Sequence, residues 1–386
     1  MARFQSVAGK ALVFLLFVWT LWFINFVCRT IPSPVLPLIE TEFGVTHARA
    51  TSIFLCIGLG YGLSVFFSGL YARILRPRKT VCVNLLVLGL TYLAMSQVRM
   101  FGLFYVVGLF LGLAAGLYLP AIIPLLTESY EQAHWGKAIA IHDSASVLGL
   151  LATPFIAVLA LLFMSWRQMF IVVGLVDFLA AAIFWWVSKE VGVGVKTTYF
   201  PREVLRRGGF WFFGITWIFM AGATMGLYFV VPLYLSKELG LSVEYANTIF
   251  GISRIGGAAV GIVAGFLVDR FKARGMAFFL VFTTGVFTAL ISVNDLRWMQ
   301  IFLFLQATLA AGFFPISLVS ISRMFDRESR GQAVGFVVTL GVIGNAIIPY
   351  LLGLSGDLVS FRLGFVLLGI LTALSSGLLY LVKDFK

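Results

Sequence analysis

Charge is what this chain has least of: 28 Lys and Arg and 16 Asp and Glu in 386 residues, 11% of the total, against 61% hydrophobic residues. So little polar surface excludes a water-soluble domain and implies a polytopic membrane protein with the bilayer as its main partner. Cysteine is nearly absent. Cys28, Cys56 and Cys82 lie inside or at the edge of apolar runs, so neither a disulfide framework nor a metal cluster is indicated, and no cofactor is expected. There is no nucleophile–base–orienter set, phosphate loop or metal-spaced cluster, which removes the enzyme reading. The net charge of +12 would suggest nucleic acid in a soluble protein. Here the basic residues occupy short loops between apolar runs, where they set topology, so nucleic-acid binding is excluded. The first apolar run is too long for a signal-peptide core and lacks a small-residue cleavage site, which reads as a retained helix.

What is abundant is apolar sequence. Twelve runs of membrane-spanning length lie near 11–38, 50–72, 80–98, 101–127, 138–163, 168–188, 209–234, 245–268, 275–293, 298–322, 332–355 and 362–382. With both termini cytoplasmic, 20 of the 28 Lys and Arg fall on the cytoplasmic side and six face outward: Arg49, Arg99, Arg167, Lys237, Arg297 and Arg362. That asymmetry sets the orientation. It leaves two arginines, Arg29 and Arg254, inside spans. Trp135, Trp166, Trp185, Trp186, Trp211 and Trp298 fall at span ends, as interfacial belts require.

The longest polar stretch divides the spans six and six, giving an N-terminal bundle (1–188), a cytoplasmic linker (189–208) and a C-terminal bundle (209–386). The halves are duplicates. Shifted by 195, Pro37 falls on Pro232, Pro120 on Pro315, Gly136 on Gly331, Ala138 on Ala333, Gly149 on Gly344, Pro154 on Pro349 and Arg167 on Arg362. Shifted by 196, "ATSIF" at 50–54 falls on "ANTIF" at 246–250 and Gly60 on Gly256.

After the eighth span the chain reads Gly265-Phe-Leu-Val-Asp269-Arg270, with Lys272 and Arg274 following, and "WR" opens the sixth. These match the Gly-x-x-x-Asp-Arg loop signature, and over its whole length the chain resembles the major facilitator superfamily. The resemblance implies an all-α polytopic membrane protein, twelve transmembrane helices in two six-helix pseudo-symmetric halves. It also implies alternating access to a site near the midplane. Gly265, Asp269 and Arg270 then take a gating role. The first-half copy, "GLYARILRPRK" at 69–79, has Arg73 where the aspartate should stand, so a latch built on that acid is in question.

Polar groups within spans are functional candidates, because ionisable residues in hydrocarbon are costly. Asn25 and Arg29 share a face of span one, four residues apart. Arg254 lies on span eight, His142 and Asp143 on span five, Asp177 on span six, Gln306 on span ten and Asn345 on span eleven. Two permanent cations point to an anionic ligand, although each arginine could instead snorkel outward. Asp143 could carry a proton, act as counter-ion to Arg29 or Arg254, or bond locally within its helix. His142 points about 100° away from it, so only one of the two need face a cavity. Asp177 is either protonated structure or an unusual proton site.

The first span carries a second resemblance. Asn25, Arg29, Ser33 and Pro37, followed by "EFGVT" at 42–46, are similar to the first-helix pattern of the anion:cation symporter branch and, more loosely, of spinster-type members. Cys28 stands where that pattern has an aspartate. Proton coupling through Asp143 and His142 is favoured over sodium because no carboxylate-rich cluster is present. The expectation is therefore a monomeric, proton-coupled uptake transporter for a small organic anion, a carboxylate, in the bacterial inner membrane. Arg29, Arg254, Asn25, Ser33, Asn345 and Gln306 are its candidate ligands. A proton-driven exporter of an amphiphilic, drug-like or lipid-like compound is the alternative. A non-transporting membrane sensor or scaffold is the reading from another class.

Overall fold

The computed structural model describes residues 4–68, 71, 75–188, 202–206, 208–260, 273–325 and 330–382. These are almost wholly helical, as they must be where no water is available to the backbone. The helices are α1 Lys10–Phe43, α2 His47–Phe66, α3 Pro77–Gln97, α4 Leu103–Ser129, α5 Trp135–Leu161 and α6 Trp166–Val187. They continue with α7 Gly208–Lys237, α8 Val243–Ser253, α9 Ala273–Leu290, α10 Leu296–Met324, α11 Arg330–Leu358 and α12 Phe361–Leu378. Among the described residues, eleven helices are long and apolar enough to cross a membrane. The expected span 245–268 begins in α8 and is helical again over 255–260, and its remainder lies outside the described residues. Arg73, Gly265, Asp269 and Arg270 also lie outside them.

The helix starts are written locally. Thr46, Ser242, Asp295 and Ser360 each accept from backbone N–H groups in the first turn of the following helix, and Ser165 forms a reciprocal capping box with Gln168. Interruptions are written by proline, which supplies no N–H to the carbonyl four residues back. α1 breaks at Ile31, and Pro32 opens its second segment. The carbonyl that Pro32 leaves without a helical donor is that of Cys28, and the Tyr92 hydroxyl donates to it. Pro232 does the same to Tyr228, whose carbonyl accepts the Ser33 hydroxyl at 3.0 Å.

The contacts group the chain into two compact units, Met1–Pro32 with Cys56–Thr197, and Ser33–Leu55 with Thr198–Lys386. In the first, α2 and α4 cross so closely that a Cβ at Gly112 would fall on the Ile57 carbonyl, and one at Gly60 on the Leu109 carbonyl. Only glycine permits that approach. α3 and α6 meet similarly, with Gly89 and Gly174 each facing the other's carbonyl.

In the second unit, the outer segment of α1 and the start of α2 are fastened to α7, α8 and α11. Asn247 donates to the Pro34 carbonyl at 2.9 Å, and the Asp357 carboxylate accepts from the N–H groups of His47 and Ala48 at 2.8 and 2.9 Å. Glu40 bridges His47 at 2.8 Å and Lys237 at 3.4 Å. α7 contains a π turn, Gly222–Gly226, that lies against Ile348 of α11. The Leu227 N–H after it bonds to Gly222 and Thr224, passing over the Ala223 carbonyl.

Candidate functional site

In the first unit the α1 arginine lies on aromatic rings. Arg29 is half-buried, with its guanidinium carbon 4.1 Å from the Tyr61 ring centroid and 4.9 Å from that of Phe26. Phe26 meets Trp22 edge-on at 5.0 Å, and the Trp22 indole N–H donates to Asp143 at 3.3 Å. A continuous path of side chains therefore joins Arg29 to Asp143, and they are not an ion pair. The helical offset between His142 and Asp143 decides their surroundings. Asp143 is exposed, whereas His142 is fully buried, stacked at 5.8 Å on Trp22 and at 5.9 Å on Tyr118. The Tyr118 hydroxyl donates to Val18 at 2.8 Å and lies 3.3 Å from His142 Nε2. His142 Nδ1 has no partner among the described residues.

Asp177 is also fully buried. Its Oδ2 accepts from the Cys28 thiol at 3.3 Å, and its Oδ1 has no partner among the described residues. A carboxyl group thus approaches α1 from α6 beside Cys28. Asn25 is buried and donates to the Ala115 carbonyl of α4 at 3.4 Å.

In the second unit Arg254 has a similar aromatic setting with the helices exchanged. Its guanidinium carbon is 4.7 Å from the ring centroid of Phe250, one turn earlier on α8, and 5.4 Å from that of Tyr228 on α7. Thus an α1 arginine rests on an α2 tyrosine in one unit, and the arginine that caps α8 faces an α7 tyrosine in the other. Arg254 Nε and Nη2, the two nitrogens along one edge of the guanidinium plane, are shielded from solvent and have no partner among the described residues. Gln306 donates to the bypassed Ala223 carbonyl at 2.7 Å and approaches Thr288 at 3.4 Å, so it completes the π turn. Ser33 closes the carbonyl opened by Pro232, as above. Asn345 is half-buried, and its Oδ1 has no partner among the described residues.

The candidate ligands therefore divide. Arg29 and Arg254 present guanidinium groups on aromatic surfaces, while Asn25, Gln306 and Ser33 bond to backbone carbonyls within their own units. The sequence expectation did not pair these rings with the arginines. Their only sequence signal was a phenylalanine three or four residues before each arginine, one helical turn away. Among the described residues no group of three or more His, Cys, Asp or Glu side chains could hold a metal ion.

The profile described as Major Facilitator Superfamily matches residues 18–293 and 213–386. The chain is 23% identical to the Hexuronate transporter of Bacillus subtilis (strain 168), over 94% of this chain and 92% of that one. It is also 23% identical to the Membrane sensor protein UhpC of Escherichia coli (strain K12), over 83% of this chain and 80% of that protein. A solved structure of a bacterial homolog to the human lysosomal transporter Spinster, inward-facing and unoccupied, superposes with a TM-score of 0.83 at 15% identity, covering 98% of each chain.

Proposed function

The chain belongs to the major facilitator superfamily, and from that premise we propose that it is a proton-coupled uptake transporter for a small organic carboxylate in the bacterial plasma membrane. The observation that carries the reading is the edge of Arg254 that has no hydrogen-bond partner among the described residues. Nε and Nη2 form the fork that a carboxylate can fill with two parallel charge-assisted hydrogen bonds. A buried cationic donor without a partner is costly, and a site that is empty part of the time is where such a cost is tolerated. Arg29 is the second anion ligand, held on Tyr61 and Phe26. The relative named for hexuronate, itself a carboxylate, supports the substrate class. Asp143 is the proposed proton carrier: it is the exposed acid of its helix pair, and the Trp22 N–H leaves its other oxygen open to a proton.

The test is uptake of labelled carboxylates into proteoliposomes under an imposed pH gradient. Arg29→Ala and Arg254→Ala are each expected to abolish uptake. Asp143→Asn is expected to abolish gradient-driven accumulation while sparing exchange of internal for external substrate. Wild-type transport by both arginine variants would end the reading. The likeness to a membrane sensor favours a second reading, a chain that binds the anion without moving it, and the same vesicles separate the two because binding would persist without uptake.

A further inference from the structure

A group of charges that neither the anion ligands nor the proton carrier uses gathers at one end of the second unit. Residues 33–55 come from the first half of the chain, yet they pack with 198–386. Glu40, near the end of α1, is buried at 5% exposure, and a buried carboxylate is tolerated only with partners. It has two. The His47 ring at the start of α2 lies 2.8 Å away, and the Lys237 ammonium at the end of α7, which also donates to Thr41, lies 3.4 Å away. Asp357 of α11 accepts from the first two N–H groups of α2, where the helix dipole favours an anion. On the remaining side His47 meets the Phe361 ring of α12 at 4.9 Å, and the Phe361 N–H donates to Glu238, itself paired with Arg362 at 3.4 Å. Beside the charges the backbones meet: a Cβ at Gly353 of α11 would fall on the His47 carbonyl and the Thr51 hydroxyl.

The charges that act on the His47 ring are thus Glu40 from α1, Lys237 from α7 and Asp357 from α11. Two carboxylates face one ammonium, and His47 decides the balance. Neutral, the ring leaves the cluster with excess negative charge; protonated, it cancels that charge and makes its hydrogen bond to Glu40 a charge-assisted one. Its side chain is 26% exposed, so water can deliver the proton. Alternating access requires the two halves of the chain to part at each end in turn, so these contacts break whenever this end opens. The end lies opposite the basic linker, which makes it the outer one by loop charge. We infer that Glu40, His47, Lys237 and Asp357 form an outer clasp that external acid tightens. Asp357 and the close approach at Gly353 are its constant part, and the proton on His47 is its variable part. That proton binds more tightly when Glu40 faces the ring, so lowering the pH favours the closed form, by at most about tenfold per pH unit for a single proton. The inference needs the family's alternating access and not the anion reading, and its test uses no substrate.

The experiment places nitroxide labels at Arg49→Cys and Val359→Cys, exposed positions on α2 and just after α11, in the purified full-length protein. Pulsed electron resonance then gives their distance distribution at about pH 8 and about pH 5.5, on either side of the ordinary histidine range. The protein without added cysteines controls for labelling of Cys28, Cys56 and Cys82, and thermal unfolding is checked for each variant. A short and a long separation are expected, with the ratio of short to long rising at least about threefold in acid. His47→Asn keeps a donor without the charge and should remove that rise, as should Glu40→Gln. Gly353→Ala wedges α2 from α11 and should enlarge the long population at both pH values. An unchanged wild-type distribution, a shift to the long separation in acid, or a response that survives His47→Asn overturns the inference. A response that survives Glu40→Gln overturns the pairing on which it rests.

Discussion

Replacing Arg254 by methionine should make the ligand-free protein more stable and, on the proposed reading, strongly weaken binding of a carboxylate. The fork nitrogens Nε and Nη2 are both solvent-shielded and unpartnered among the described residues, and a buried unsatisfied donor costs about 1–3 kcal/mol, more for charged groups. The residue as a whole is half-buried, which places the net gain near the lower end, about 2 kcal/mol. Methionine retains an unbranched chain that can pack on Phe250 and Tyr228. A gain of that size raises the unfolding temperature by a few degrees. The same substitution removes two charge-assisted hydrogen bonds from the complex, about 1.5–3 kcal/mol each, or a loss in affinity of about 10²- to 10⁴-fold. Arg254→Lys keeps the charge but not the fork and should fall between, at about 10- to 100-fold. Thermal unfolding without ligand and calorimetric titration with a carboxylate that binds wild type give the two readouts. A methionine variant that is no more stable than wild type, or that binds the carboxylate equally well, would refute the reasoning.

Two further substitutions address the scaffold. Gly112→Ala sets a methyl group on the Ile57 carbonyl and should destabilise the first unit by about 1–3 kcal/mol or more, read as a lowered unfolding temperature. Ser33→Ala removes the donor that serves the Tyr228 carbonyl in place of the N–H missing at Pro232. It should cost about 1–3 kcal/mol in wild type and much less in a Pro232→Ala background, where a backbone N–H is restored, so a double-mutant cycle with additive effects would contradict the account.

Much of the fold was legible in the amino-acid pattern because a bilayer constrains it so strongly. Apolar runs of spanning length sufficed for the helices. The break in α1 was foreshadowed by Pro32 and Pro34, although the helix runs on to Phe43 rather than ending near 38. Of the candidate site, the sequence marks the charges but not their surroundings. Asn25 and Gln306 resembled ligands because a polar residue in a span is conspicuous, yet their donors meet carbonyls of other helices, one of them exposed by a π turn that no residue type announces. The 100° offset between His142 and Asp143 was certain from helix geometry, but which of them was buried depended on Trp22 and Tyr118 packing against α5. Asp177 approaches Cys28 across 149 positions of chain, a proximity that only the packing of α6 on α1 creates.

The exchanged arginine–tyrosine arrangement also bears on the history of the chain. At the repeat shift of 195 Arg29 falls on Thr224, and at 196 Arg254 falls on Gly58, so neither cation has a counterpart in the other copy. Gly149 and Gly344 do correspond, and both sit where a neighbouring helix approaches closely. On that repeat the two copies share glycines at close helix approaches but not the two arginines within spans. On the proposed reading, a descendant lineage could exchange one anion for another by revising a single half and leave the glycines that hold the helices together untouched.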